Sequence, residues 1–248
     1  MTAFQRFPAI DPAIGSRPVP EPAPSAEYDL AWLDHRGATC RDLRRLSGAP
    51  LIDAAVSSFG RGTLLRGAGG PIAIEDVTPG DRVAVRGGGL ARVDWVGSRV
   101  HAGPDGHPKL FRVAAHAFGA AGPTQDVILG QYALVLIEHP ACADLVGGPI
   151  AFAPVAAFED GHGVTAVTPK GEIATWGIAC AGQEAILAGG LGVASYHPAR
   201  ATCARLTRNV LADLARLFPQ SAGGAGFGAP RLPTLSTSEA RSLALTAD

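Results

Sequence analysis

His101 and His107 stand six residues apart in a loop rich in glycine and proline, and His116 follows nine residues later. Such a group invites a metal, but no Cys or carboxylate at ligand spacing accompanies it, and the histidines read as loop residues. Cys40, Cys142, Cys180 and Cys203 are far apart and form no Cys-x-x-Cys pair. They read as small buried hydrophobes, with one bridge left open by the sequence. Arg41, Arg44 and Arg45 lie in residues 39–46, where a short helix is expected. They read as its solvated face, with a binding patch as the sharper alternative.

Whatever these groups do, a β framework must position them. Residues 56–100 hold short apolar alternations separated by turn residues: Gly67, Gly69 and Gly70, then Thr78-Pro79-Gly80-Asp81, then Gly87-Gly88-Gly89. The spacing predicts four strands, over residues 58–65, around Ile72 and Ile74, over 82–85 and over 91–96, joined by tight hairpins. Further strands are expected at 110–113, 126–129 and 173–178. Upstream, six prolines between Phe7 and Pro24 forbid regular structure and predict an extended arm. Downstream, Leu206, Val210, Leu211, Leu214 and Leu217 recur at helical spacing. The expected organisation is therefore an arm over 1–50, a β domain over 51–200, a helix over 201–219 and a disordered tail over 220–248.

Composition bounds the function classes. With 47% hydrophobic residues, 248 residues can fill one sizeable core, and the 32 glycines and 20 prolines favour turns over long helices. A formal net charge of -1 gives no electrostatic reason to expect nucleic acid or a membrane surface. No apolar run is long enough to span a bilayer, and no basic stretch precedes an apolar run at the N-terminus. The expectation is a cytoplasmic protein, or one exported by a leaderless route. No cofactor is called for, and a protein partner is left open.

Three motifs together carry a resemblance. Ser58-Phe59-Gly60-Arg61-Gly62-Thr63, Ile74-Glu75-Asp76-Val77-Thr78-Pro79-Gly80-Asp81 and Val93-Asp94-Trp95-Val96-Gly97 follow in order. The stretch resembles the opening of a Hedgehog/intein (Hint) domain of the bacterial branch, with its Cys-Phe-x-x-Gly-Thr start, Val-Glu-Asp-Leu-x-x-Gly-Asp turn and Arg-Trp-Ile-Gly strand. The likeness continues through Pro123-Thr124-Gln125-Asp126-Val127 and Leu129-Gly130-Gln131-Tyr132-Ala133-Leu134. It extends to Ala185-Ile186-Leu187-Ala188-Gly189-Gly190-Leu191, so that it covers about residues 51–200. It implies a compact all-β Hint fold with an added C-terminal helix.

The resemblance also implies a chemistry, and the departures bear on it. In a Hint domain the first residue attacks the carbonyl before it, converting an amide into a thioester or ester. A histidine protonates the departing amine while donors stabilise the oxyanion. The matching positions for this reaction are Ser58, Thr63, Asp126 and Tyr132. Ser58 replaces the cysteine, and a hydroxyl supplies far less of its ionised form than a thiol of pKa about 8.5. Tyr132 replaces the histidine and has no cationic form with which to protonate an amine. Gln183 and Ala194 align with a further histidine and with a glutamate. His139 is about 23 Å along an extended strand from Tyr132 and substitutes only if the chain folds back; His116 has a similar standing. Asn209, the only asparagine, falls in the expected helix, so splicing through asparagine is not expected.

Three readings follow. The first is a Hint-type domain, related to self-cleaving and splicing domains, that is catalytically degenerate and serves as a structural or interaction module. The second is slow autoproteolysis through an N–O acyl shift at the Ser57-Ser58 bond. The third is a small-molecule or metal-binding β domain using His101, His107 and His116.

Overall fold

The computed structural model describes residues 25–101, 108–119, 122–198, 208–221, 227 and 229–244. Its strands are β1 (Ser25–Leu33), β2 (Thr39–Ser47), β3 (Phe59–Gly60), β4 (Leu64–Gly67), β5 (Gly70–Ala73), β6 (Arg82–Ala84), β7 (Leu90–His101) and β8 (Leu110–Val113). They continue with β9 (Val127–Gly130), β10 (Leu134–Glu138), β11 (Ile150–Pro154), β12 (Val164–Val167), β13 (Ile173–Cys180), β14 (Ala185–Ala188) and β15 (Leu191–Ala194). The helices are α1 (Pro50–Val56), α2 (Cys142–Val146), α3 (Arg208–Leu217) and α4 (Thr237–Ala244).

All strand pairs are antiparallel, in the order β11-β10-β15-β14-β4-β6-β7-β13-β3-β9-β8-β12. β7 is the hinge of this order: its first residues pair with β6, the remainder with β13, and its other side takes β1. An all-β fold with short helices is what the strand spacing required. The predicted turns fall in place, with Gly80, Gly87, Gly88 and Gly89 all at positive φ, where a side chain would be strained. Asp81 closes its turn by accepting from the Thr78 N–H at 2.7 Å. The strand expected over 58–65 is broken in two, because Gly62 at positive φ turns the chain between β3 and β4.

Two local expectations are corrected. Residues 39–46 are not a helix but strand β2, in register with β1 from Ser25↔Ser47 to Leu33↔Thr39. The Asp34 carboxylate accepts from the N–H groups of Arg36 and Ala38, each at 2.8 Å, and closes the hairpin at Gly37. Cross-strand pairing then overrides the helix propensity of an Arg- and Leu-rich run. The arginines are ion-paired, Arg41 with Asp29, Arg44 with Asp42 and Arg45 with Glu27.

The tail expected to be disordered over 220–248 holds α4. Ser236 and Glu239 cap it reciprocally: Ser236 N–H donates to the Glu239 carboxylate at 2.7 Å, and Glu239 N–H to Ser236 Oγ at 3.3 Å. Leu235, Ala240 and Leu243 bury against Cys142, Ala151, Ala153 and Ala157. The predicted C-terminal helix is seen as α3, and the stretch before it, 199–207, lies outside the described residues, as does the arm over 1–24.

The main core cluster is built on strand residues such as Phe59, Phe111, Leu129 and Ile178, and a second, with two smaller ones, packs beside it. The second joins Tyr28, Leu30, Leu46, Ile52, Ala55 and Val56 to Trp95, Ala179, Tyr196, Leu217, Phe218 and Phe227. Everything from β1 to α1 is therefore part of the fold. Among the described residues no helix is long and apolar enough to cross a membrane.

Candidate functional site

Helix α1 starts with Pro50 at its first turn, where the missing N–H costs nothing, and ends at Val56. Its end is seated in a slot lined by three glycines. A Cβ on Gly177 would fall 1.7 Å from the Ala55 carbonyl oxygen, one on Gly130 would fall 2.2 Å from that of Ser57, and one on Gly97 2.9 Å from the Val56 side chain. Gly97 and Gly177 are cross-strand partners, so one pair of small residues opens the β7–β13 surface to α1. Ser58 then enters the sheet, its N–H donating to the Trp176 carbonyl and its carbonyl accepting from Gly130 N–H, both at 3.0 Å.

Beside Ser58 is a cavity of about 10 Å³, lined by Ala54, Ser58, Tyr132, Leu134, Gln183, Ala194, Ser195, Tyr196 and His197. That is the space one water centre needs. Four positions singled out from the sequence thus converge: Ser58, Tyr132, Gln183 and Ala194. Gln183 is taken up by the returning chain, its Oε1 accepting from the N–H groups of Arg231 at 3.1 Å and Leu232 at 3.4 Å.

Thr63 and Asp126 do not line that cavity. The Thr63 hydroxyl donates to the Ile128 carbonyl at 2.7 Å, tying the turn after β3 to β9. The Asp126 carboxylate accepts from Ala115 N–H at 3.0 Å and from Arg112 Nε at 2.7 Å. Those two interactions, the backbone one first, hold its pKa below the usual carboxylate value.

The rescue histidines do not reach Ser58 either. His139 lines a separate cleft of about 500 Å³ with Phe118 and Phe158, and its Nδ1 accepts from Ala141 N–H at 3.2 Å. His116 sits exposed in a turn at φ 62°, and Asn209 is exposed on α3. Sequence reasoning missed His197 as a site residue. It lies next to the Ser195-Tyr196 pair aligned with the family's end, and its Nε2–H donates to the Phe227 carbonyl at 3.2 Å.

Among the described residues the histidines of the third reading form no metal site. His101 is buried and bonded to Thr175, and His107 lies outside the described residues. Among the described residues no group of three His, Cys, Asp or Glu side chains could hold an ion.

A family model for the Hint domain matches residues 57–200. The chain belongs to the Hint domain family. No curated protein matches it. In this Hint domain the matched region opens at Ser57, directly after α1 ends at Val56. The converging positions place a phenol, an amide and a methyl group around the Ser58 hydroxyl.

Proposed function

We propose that this Hint domain no longer processes itself at Ser58, and that its β framework serves as a structural or interaction module. The observation that carries this is the makeup of the cavity beside Ser58. By the motif resemblance Tyr132 and Gln183 match family histidines; both line the cavity, and the Gln183 carbonyl is engaged by the backbone of Arg231 and Leu232. A positioned general acid contributes a rate factor on the order of 10² to 10⁴, and a phenol cannot take the cationic role. His197 lines the cavity, yet its Nε2 proton is directed at Phe227.

The seating of the upstream segment supports the same reading. Processing separates a domain from what precedes it, whereas here β1, β2 and α1 build part of the core. The test is intact mass of the full chain, tagged at both ends, after a day with and without a strong thiol or hydroxylamine. Only full-length mass, or fragments beginning elsewhere, is expected. A fragment beginning at Ser58 and lost in Ser58→Ala would replace this reading with slow cleavage by an N–O acyl shift.

A further inference from the structure

The two ends of the sheet order face one cleft, the one that His139 lines. β10 and β15, near one end, contribute Leu136, Ile137, Leu191 and Gly192; from the other end come Phe118, in the turn after β8, and Val164, the first residue of β12. Among the described residues no pairing joins β12 to β10, and a space of about 500 Å³ is left between them. Phe158, after β11, and Leu243 of α4 complete an apolar lining. A cleft of this size, mostly apolar with a few polar groups at hand, has the form of a small-molecule site. It shares no lining residue with the cavity beside Ser58.

Two features define what fits. The first is the aromatic pair. Phe118 and Phe158, both half-buried, meet edge to face, with ring centroids 5.2 Å apart and planes at 88°. Two rings at right angles form a corner, and a flat aromatic body that stacks on one presents its edge to the other.

The second feature is charge. Arg86 is paired with the Glu138 carboxylate at 3.1 Å, so those two cancel. His139 Nδ1 accepts from Ala141 N–H, which an imidazolium cannot do, and the ring adds no charge in this state. Asp160 remains. Its Oδ1 accepts from the His162 and Val164 N–H groups at 2.8 and 2.9 Å, and among the described residues no cationic side chain pairs with it. Those backbone bonds, that of Val164 foremost, hold its pKa below the usual carboxylate value, so it is ionised at neutral pH. The cleft thus carries one uncompensated negative charge, which repels an anion and is matched by an ammonium. Asp160 follows Phe158 by two residues, at most about 7 Å along the chain, a distance that a short alkyl link bridges.

We propose that this cleft is a binding site for a small arylalkylammonium, its flat aromatic body seated between Phe118 and Phe158 and its ammonium directed at the Asp160 carboxylate. This goes beyond the reading of the framework as a module that no longer processes itself, and it stands or falls apart from the chemistry at Ser58.

Tryptamine has that shape, with tryptophol as its neutral alcohol and indole-3-propionate as an anionic counterpart. The full chain is titrated with each by calorimetry at neutral pH and low salt, up to about 10 mM, and backbone amide shifts are followed by NMR. Tryptamine is expected to saturate one site at least about tenfold more tightly than tryptophol, with indole-3-propionate weaker still. Shifts should gather at residues 117–119, 136–139 and 191–192. Asp160→Asn keeps an oxygen for the His162 and Val164 N–H groups but not the charge, and should bring tryptamine down to the affinity of tryptophol. Asp34 accepts from Arg36 and Ala38 in the β1–β2 turn in the same manner, and Asp34→Asn, the control for charge at large, should change nothing. Phe118→Leu, folded by circular dichroism, should weaken all three ligands about three- to tenfold. No saturation with tryptamine or phenethylamine, equal or tighter binding of tryptophol or indole-3-propionate, an equal loss in Asp34→Asn, or shifts gathered elsewhere each overturns the assignment.

Discussion

Replacing Gly177 with alanine tests whether α1 is seated in the sheet as described. The new Cβ would lie 1.7 Å from the Ala55 carbonyl oxygen, 2.7 Å from its carbon and 3.1 Å from Val56 Cα. All three are backbone atoms, so no side chain can rotate away. The sheet is held from Ile173 to Cys180 by its ladder with β7, and α1 must give instead. A tolerable contact requires it to retreat by roughly 1.5 Å, more than the few tenths of an ångström a packed interior concedes. If α1 shifts and repacks, overpacking costs about 1–3 kcal/mol. If it lets go, Ile52 and Val56, both fully buried, lose about 1.5–3 kcal/mol each, or about 3–6 kcal/mol together. The expected loss is therefore about 3 kcal/mol, or about 6–12 °C in Tm for a domain of this size. Gly182→Ala is the control, since nothing lies within 4 Å of its Cβ and its φ is not positive. It should stay within about 0.5 kcal/mol of wild type. Urea unfolding of both variants decides the matter, and a Gly177→Ala protein as stable as the Gly182→Ala control would refute the seating of α1.

Tyr28 donates to the Asp53 carboxylate at 2.6 Å, and Arg99 pairs with the same oxygen. Tyr28→Phe should cost about 1.5–3 kcal/mol at neutral pH by chemical denaturation. Burial first, then the Asp53 hydrogen bond and charge, raise the Tyr28 pKa above its ordinary value. A raised folded pKa means the stabilisation is complete below pH about 10 and declines above it as the unfolded phenol ionises; Tyr28→Phe should flatten that decline. Burial, with Asp94 and Glu184 nearby, pushes the Cys180 thiol up to about 12. Iodoacetamide at pH 8 should therefore leave Cys180 unmodified in the folded protein and label it on unfolding, as peptide mapping would show. Gln183→Ala removes the acceptor for Arg231 and Leu232 and should raise amide exchange in residues 231–243 ahead of the sheet.

The turns were legible because their chemistry is local. Gly80 and the run Gly87 to Gly89 need positive φ, and that requirement is written in the residue type. The β1–β2 hairpin was not, since the arginines and leucines of β2 favour a helix until β1, itself paired with β7, supplies a partner strand. Helix α4 had a readable signal in Ser236 and Glu239, masked by the glycine-, alanine- and serine-rich stretch before it. In the site, Ser58, Tyr132, Gln183 and Ala194 were found only through family-like motifs, because no spacing rule joins residues so far apart. Thr63 and Asp126 share those motifs but serve β9 and the turn near Ala115. His197 is bonded to Phe227, thirty residues on, a pairing that no single stretch of sequence displays.

The seating of α1 decides what a cut at the Ser57-Ser58 bond would do. β1 pairs with β7, and Tyr28, Leu30, Ile52 and Val56 share a cluster with Trp95, Tyr196 and Phe218, so the severed segment would stay in place. Cleavage would thus leave two chains in one fold. It would also create a carboxylate and an ammonium in a slot walled by Gly97, Gly130 and Gly177, where the nearby Arg99 guanidinium is already paired with Asp53. Hiding such a pair costs several kcal/mol per ion unless the new ends swing out into water, and swinging out withdraws Val56 from the core. Either way the nicked protein is less stable than the intact one while eluting at the same volume from a sizing column. A cut here would lower stability and release nothing, so unfolding midpoint and elution volume together would tell a nicked chain from an intact one.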